Sequence, residues 1–169
     1  ISNVGVRKKG FFGSLSDTKP SLKVKFSEYI EGQLYSGMKR MTLNNAKSDP
    51  SYIKQCLGYD LFRKAGVPAP RCNYARVSVN GQDLGVFAHV ESMKKRCIAR
   101  HFDDNEGNLY EGALSDFRDG WINTMQRKTN KDDLDRSDVE ALVPLMNAPN
   151  AGLLSKLEAV IDVDAFITF

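Results

Sequence analysis

Strict alternation of apolar and polar positions marks the early part of the chain. Between residues 21 and 26, Leu22, Val24 and Phe26 interleave with Lys23 and Lys25, the period of a strand with one buried face. Residues 4–9 read as an earlier short strand, and Gly10-Phe-Phe-Gly-Ser14 as the tight turn joining the two. A turn at 34–37 precedes a third strand at 38–43. The period then changes. Ile53, Leu57, Leu61, Phe62 and Ala65 recur at helical spacing and form the apolar stripe of a helix. Asp49 is its expected N-cap, Pro50 its first residue and Gly66 its C-terminal stop. After an extended Val67-Pro-Ala-Pro70 connector, residues 74–79 and 84–90 read as strands joined by Asn80-Gly81, a strong hairpin signal.

The second half is less regular. A short helix is predicted at 93–101, a turn at 103–107 and a strand beginning at Leu109, and residues 115–135 read as polar and irregular. Residues 137–146 predict a helix opened by a capping box of Ser137 and Glu140. Residues 152–160 predict another, and Asp162 or Asp164 caps a last one. Strands with one inserted helix come first and helices follow, an α+β order.

Composition narrows the class without naming a function. The chain has 169 residues, 41% hydrophobic and 27% charged, which is the profile of a soluble globular domain. A net charge of +3 gives no reason to expect a nucleic-acid partner. No apolar run approaches the ~20 residues of a membrane span. Both ends fall inside expected elements, so the chain reads as cut from a longer polypeptide. Cys56, Cys72 and Cys97 read either as three thiols or as one disulfide with a thiol left over. His89 and His101 are the only histidines, which leaves no histidine-based catalytic or metal arrangement to argue.

Two features could carry chemistry. A glycine turn between strands can bring backbone N–H groups against a polyphosphate, because Gly10 and Gly13 have no Cβ to block approach; the plain alternative is a hairpin turn. Lys23 and Lys25 share a strand face, which suits either phosphate neutralisation or simple solvation. Asp103 to Gly107 lacks the ligand spacing of a calcium loop and reads as a polar turn.

Blocks in a fixed order give these features a family likeness. Lys19-Pro-Ser-Leu-Lys-Val-Lys-Phe26, Leu43-Asn-Asn45, Asp49-Pro-Ser-Tyr-Ile-Lys54 and Tyr59-Asp-Leu-Phe-Arg-Lys-Ala-Gly-Val-Pro-Ala-Pro-Arg71 resemble the spore coat protein H (CotH) kinase family. So do Val79-Asn-Gly81, Gly85-Val-Phe87, Val90-Glu91, His101-Phe102 and Gly107-Asn-Leu-Tyr110. The resemblance implies an atypical protein-kinase-like fold. Residues 1–114 would form its N-lobe and hinge, a mainly antiparallel sheet with an inserted helix, and residues 115–169 the start of an incomplete helical C-lobe. It implies the ATP-binding part of a Ser/Thr kinase that phosphorylates coat or surface proteins outside the cell, using ATP and Mg2+. Gly10, Gly13, Ser14, Lys23, Lys25 and Glu91 are then the nucleotide-binding residues, with Asp60 as a partner for the lysine. Catalytic groups and metal ligands are expected mainly beyond residue 169. Lys54 stands where relatives commonly carry arginine. Phe11 and Phe12 in the glycine turn favour the alternative, a non-catalytic coat or cell-surface interaction module on the same fold.

Overall fold

Five antiparallel strands in the order β1-β2-β3-β5-β4 form the sheet of the first half. They are β1 (Gly5–Lys8), β2 (Leu22–Lys25), β3 (Arg40–Asn44), β4 (Cys72–Val79) and β5 (Gln82–Val90). The computed structural model describes residues 1–169, except for the side chain of Phe12, and divides them into units Ile1–Met93 and Lys94–Phe169. Fold class is α+β, as the order of periodicities predicts. The β4–β5 hairpin turns at Asn80 and Gly81, with φ of 51° and 81°, the positive pair that a tight primed turn requires.

Register assigns the faces. Leu22 lies opposite Leu43, Leu43 opposite His89 and His89 opposite Asn73, so these four share one side. Lys23, Thr42, Val90 and Cys72 share the other. Leu43, Phe87, Ala88, Val90 and Phe26 are buried, so the core sits around β3 and β5. Removing these apolar surfaces from water is the main force holding the sheet together.

Helix α1 (Lys54–Lys64) departs from expectation at its start and in its facing. It begins beyond Asp49-Pro50, because Tyr52 takes φ 62°, outside helical geometry. Asp49 still caps it from a distance: its carboxylate accepts the Lys54 N–H at 2.8 Å and the Ser51 N–H at 3.1 Å. The expected apolar stripe does not pack inward, since Ile53, Leu57 and Leu61 are 52%, 60% and 64% exposed. Other residues fix the helix. Asn44 Nδ2 donates to Gln55 Oε1 at 2.9 Å, Arg63 Nη1 donates to the Pro70 carbonyl at 2.7 Å, and Cys56 is bonded to Cys72. Covalent and polar ties thus override the stripe. The disulfide also decides between the two cysteine readings: three thiols is wrong, and Cys97 is the leftover thiol, fully buried.

The second unit holds α2 (Lys95–Ile98), the two-stranded pair β6 (Tyr110–Glu111) and β7 (Gln126–Arg127), then α3 (Ser137–Glu140), α4 (Val143–Met146), α5 (Leu153–Glu158) and α6 (Val163–Thr168). The single helix predicted over 137–146 is two, because Pro144 in the first turn of α4 has no N–H to continue the ladder. The capping box does not form. Asp135 takes the Ser137 N–H at 2.9 Å, and Arg136 occupies the N-cap position. Asp162 does cap α6, accepting from the Ala165 N–H. Strand β7 lies within the stretch that reads as irregular. Tyr110 joins this unit together: its hydroxyl donates to Asp138 Oδ1 at 2.8 Å and accepts from Arg127 Nη2 at 2.7 Å. The Arg127 and Arg136 guanidiniums stand over its ring, 5.3 and 5.4 Å from the centroid. No helix among the described residues is long and apolar enough to cross a membrane.

Candidate functional site

The face that carries α1 also carries the predicted lysines. Cys72, the anchor of α1, shares its row with Val90, Thr42 and Lys23. Lys25 lies one pleat away on the same face, opposite Arg40. Both lysines are half-buried. Lys25 Nζ pairs with Glu28 Oε2 at 2.8 Å, an i,i+3 contact with both side chains about two-fifths exposed. A cavity of about 530 Å³ opens beside them, lined by Lys25, Glu28, Tyr29, Leu34 and Lys39 among others. Its size is that of a small-ligand pocket. Gly10, Gly13, Ser14 and Lys23 do not line it.

The glycine turn is built tightly at the opposite end of β2. Gly10 has φ 107°, and a Cβ there would lie 2.3 Å from Ser14 Cβ, so only glycine lets the chain fold back. Phe12–Leu15 forms one 3-10 turn. Asn45, 4% exposed, fastens it: Nδ2 donates to the Gly13 carbonyl at 3.1 Å and the Lys19 carbonyl at 2.7 Å. Ser21, 1% exposed, closes the base, its N–H donating to the Ser14 carbonyl and its hydroxyl accepting the Asn45 N–H. Phe11 is 69% exposed. The Phe12 part of the aromatic-loop reading rests on a side chain outside the described residues.

Asp60 pairs along its own helix, with Lys64 at 2.9 Å and Arg63 at 3.3 Å. The Lys64 ammonium, then Arg63, holds its carboxyl below the usual range. Glu91 follows β5 and clips the connector to the sheet. Its Oε2 accepts the Arg71 N–H at 3.1 Å, and its own N–H donates to the Arg71 carbonyl at 2.9 Å. Beside it, burial pushes the His89 imidazole below its ordinary pKa, partly offset by the Glu91 carboxylate. The structure therefore brings Lys23, Lys25 and α1 to one face, and sets Gly10–Ser14 and Glu91 towards opposite ends of the strands.

Sequence reasoning missed a polar hub at the end of β3. Lys19 Nζ donates to the Val86 carbonyl at 2.9 Å and the Tyr52 hydroxyl at 3.1 Å, and lies over the Tyr52 and Phe87 rings at 4.5 and 4.9 Å. Lys19, Asn45, Asp49 and Tyr52 all fall inside the family-like blocks, and beyond the N-cap reading of Asp49 that was their signal; nothing in periodicity marks a polar residue as buried. Among the described residues no three His, Cys, Asp or Glu side chains converge as a metal site.

Comparison with known proteins adds ancestry to this geometry. The family model described as CotH kinase protein matches residues 6–169. Inner spore coat protein H of Bacillus subtilis (strain 168) is 21% identical over 150 residues, covering 82% of this chain and 41% of the relative. The inner spore coat protein H-like protein of the same organism is 34% identical over 56 residues, covering 33% of this chain and 18% of the relative. The chain thus spans less than half the length of either relative.

Proposed function

The chain belongs to the CotH kinase protein family, and from that footing we propose that it is the ATP-binding part of an atypical Ser/Thr protein kinase acting on coat or cell-surface proteins. The fold in this reading is a kinase-like N-lobe. The observation that carries it is the position of Lys23 and Lys25, half-buried on the sheet face that α1 occupies. Kinases use such a lysine to neutralise the phosphates and a glycine loop to cover them. Gly10, Gly13 and Ser14 supply that loop, and Glu91, where the sheet ends, supplies the hinge contact to the nucleoside. Magnesium and the groups that act on the acceptor hydroxyl belong to the remainder of the parent protein. The spore-coat names of its relatives support a coat location for that parent.

Thermal shift with ATP tests the reading. ATP should raise the melting temperature of the 169-residue chain, and Lys23→Ala with Lys25→Ala should abolish the rise without lowering the melting temperature of the unliganded protein. A wild-type chain indifferent to millimolar ATP counts against it.

The outward Ile53, Leu57 and Leu61 favour a second reading, a non-catalytic interaction module. That module would keep its coat association in a variant unable to bind ATP.

A further inference from the structure

Register places more cations on the α1 face of the sheet than alternation along β2 alone reveals. Arg7 lies directly opposite Lys23, and Arg40 directly opposite Lys25. Lys9 reaches the same face, its ammonium donating to Asn44 Oδ1 at 3.0 Å. Four basic residues from three adjacent strands, with Lys9 just past the end of β1, therefore occupy one side of β1–β2–β3. Opposed residues in an antiparallel pair lie about 5 Å apart, and next-nearest residues along a strand about 7 Å apart. At those spacings the long side chains of neighbouring rows can reach different phosphates of one short chain. Among the described residues, neither the Arg7 nor the Arg40 guanidinium meets an acceptor. Arginine's planar fork suits phosphate oxygens.

Glu28 sets a carboxylate into the ladder. Glu28 lies against Gly5, where an added Cβ would approach its Cβ to 2.8 Å, and from there it reaches Lys25. Glycine at that position lets an acid enter a basic face and hold one of its cations.

We infer that Arg7 and Arg40 join Lys23 and Lys25 in a phosphate-chain surface on this face, and that Glu28 competes with the ligand for Lys25. This rests on the nucleotide reading above and extends it: affinity is set by the number of phosphates, through arginines on the strands flanking the lysines. A ligand with three phosphates is held across both rows, and one with a single phosphate engages one row.

Calorimetric titration of the 169-residue chain with ATP, AMP and inorganic tripolyphosphate, at two salt concentrations, tests it. The Arg7→Gln/Arg40→Gln double variant should lose about tenfold in affinity for ATP and tripolyphosphate and much less for AMP, with a shallower salt dependence. Glu28→Gln should shift tripolyphosphate binding the other way, several-fold tighter. Arg118→Gln, a charge removed from the second unit, should change nothing, and circular dichroism confirms that each variant is folded. Unchanged ATP affinity in the double variant overturns the inference and leaves the nucleotide reading standing. Tripolyphosphate bound and lost on substitution, with no binding of ATP, supports the surface and sinks the nucleotide reading. No binding of either ligand by wild type overturns both.

Discussion

Severing the bond between Cys56 and Cys72 isolates what holds α1 to the sheet. The helix turns Ile53, Leu57 and Leu61 outward, so apolar burial contributes less to its docking than the stripe suggests. The bridge closes a loop of 16 residues between the helix and the first residue of β4. In the chain-entropy account, a loop of that length restricts the unfolded state by about 10 cal/mol/K, or about 3 kcal/mol at 25 °C. With a urea dependence of about 2 kcal/mol/M, Cys56→Ser/Cys72→Ser should lower the unfolding midpoint by about 1.5 M. Circular dichroism measures the midpoint, and amide exchange should place the new weakness in α1 and β4. Cys97→Ser serves as the control that leaves the bridge intact. Thiol titration of the unreduced, unfolded chain should find one reactive group. Three groups, or a double variant whose midpoint matches the parent, would refute the reasoning and return α1 to docking by packing alone.

Other outcomes follow from single contacts. Phe87 is fully buried, and Phe87→Ala should cost about 3–5 kcal/mol, read from thermal or urea unfolding. Tyr110→Phe removes the hydroxyl between Arg127 and Asp138 and leaves a guanidinium whose side chain is 6% exposed short of an acceptor; a loss of about 1–3 kcal/mol is expected in the second unit. His89 has a lowered pKa in the folded chain, so the unfolded chain takes up the proton first as pH falls. Its contribution to stability is complete above about pH 6.5 and declines below it, through the folded pKa. The lowered carboxylates Asp49, Asp60 and Asp83 act in a more acidic window, below their ordinary 3.8. His89→Gln should therefore flatten the stability profile just below about pH 6.5 and leave the acid limb in place.

The sheet was legible because its signals are local. Period-two alternation at 21–26 and Asn80-Gly81 at the hairpin fix strands wherever the rest of the chain goes. The register between strands is not local, and the opposition of Arg7 to Lys23 and of Arg40 to Lys25 emerged only from it. The α1 stripe was legible as periodic but its facing was not, because a distant covalent bond ties the helix to the sheet. Likewise Ser137 and Glu140 had the spacing of a capping box, but Asp135 stood two residues earlier and took the N–H. Of the candidate site, the lysines' shared face was visible in the alternation. The fastening of the glycine turn by Asn45 was not, since its two acceptors lie 32 and 26 residues away.

That amide has a consequence for how a ligand would arrive. One side chain grips the excursion at Gly13 and again at Lys19, so the segment cannot swing as a flap that shuts over its guest. On the nucleotide reading, capture would cost little ordering entropy, because the ordering is already built into the fold. Association should be quick and of one kinetic phase, with no slow closing step after first encounter. Asn45→Ala would loosen the grip and make entry a two-stage event.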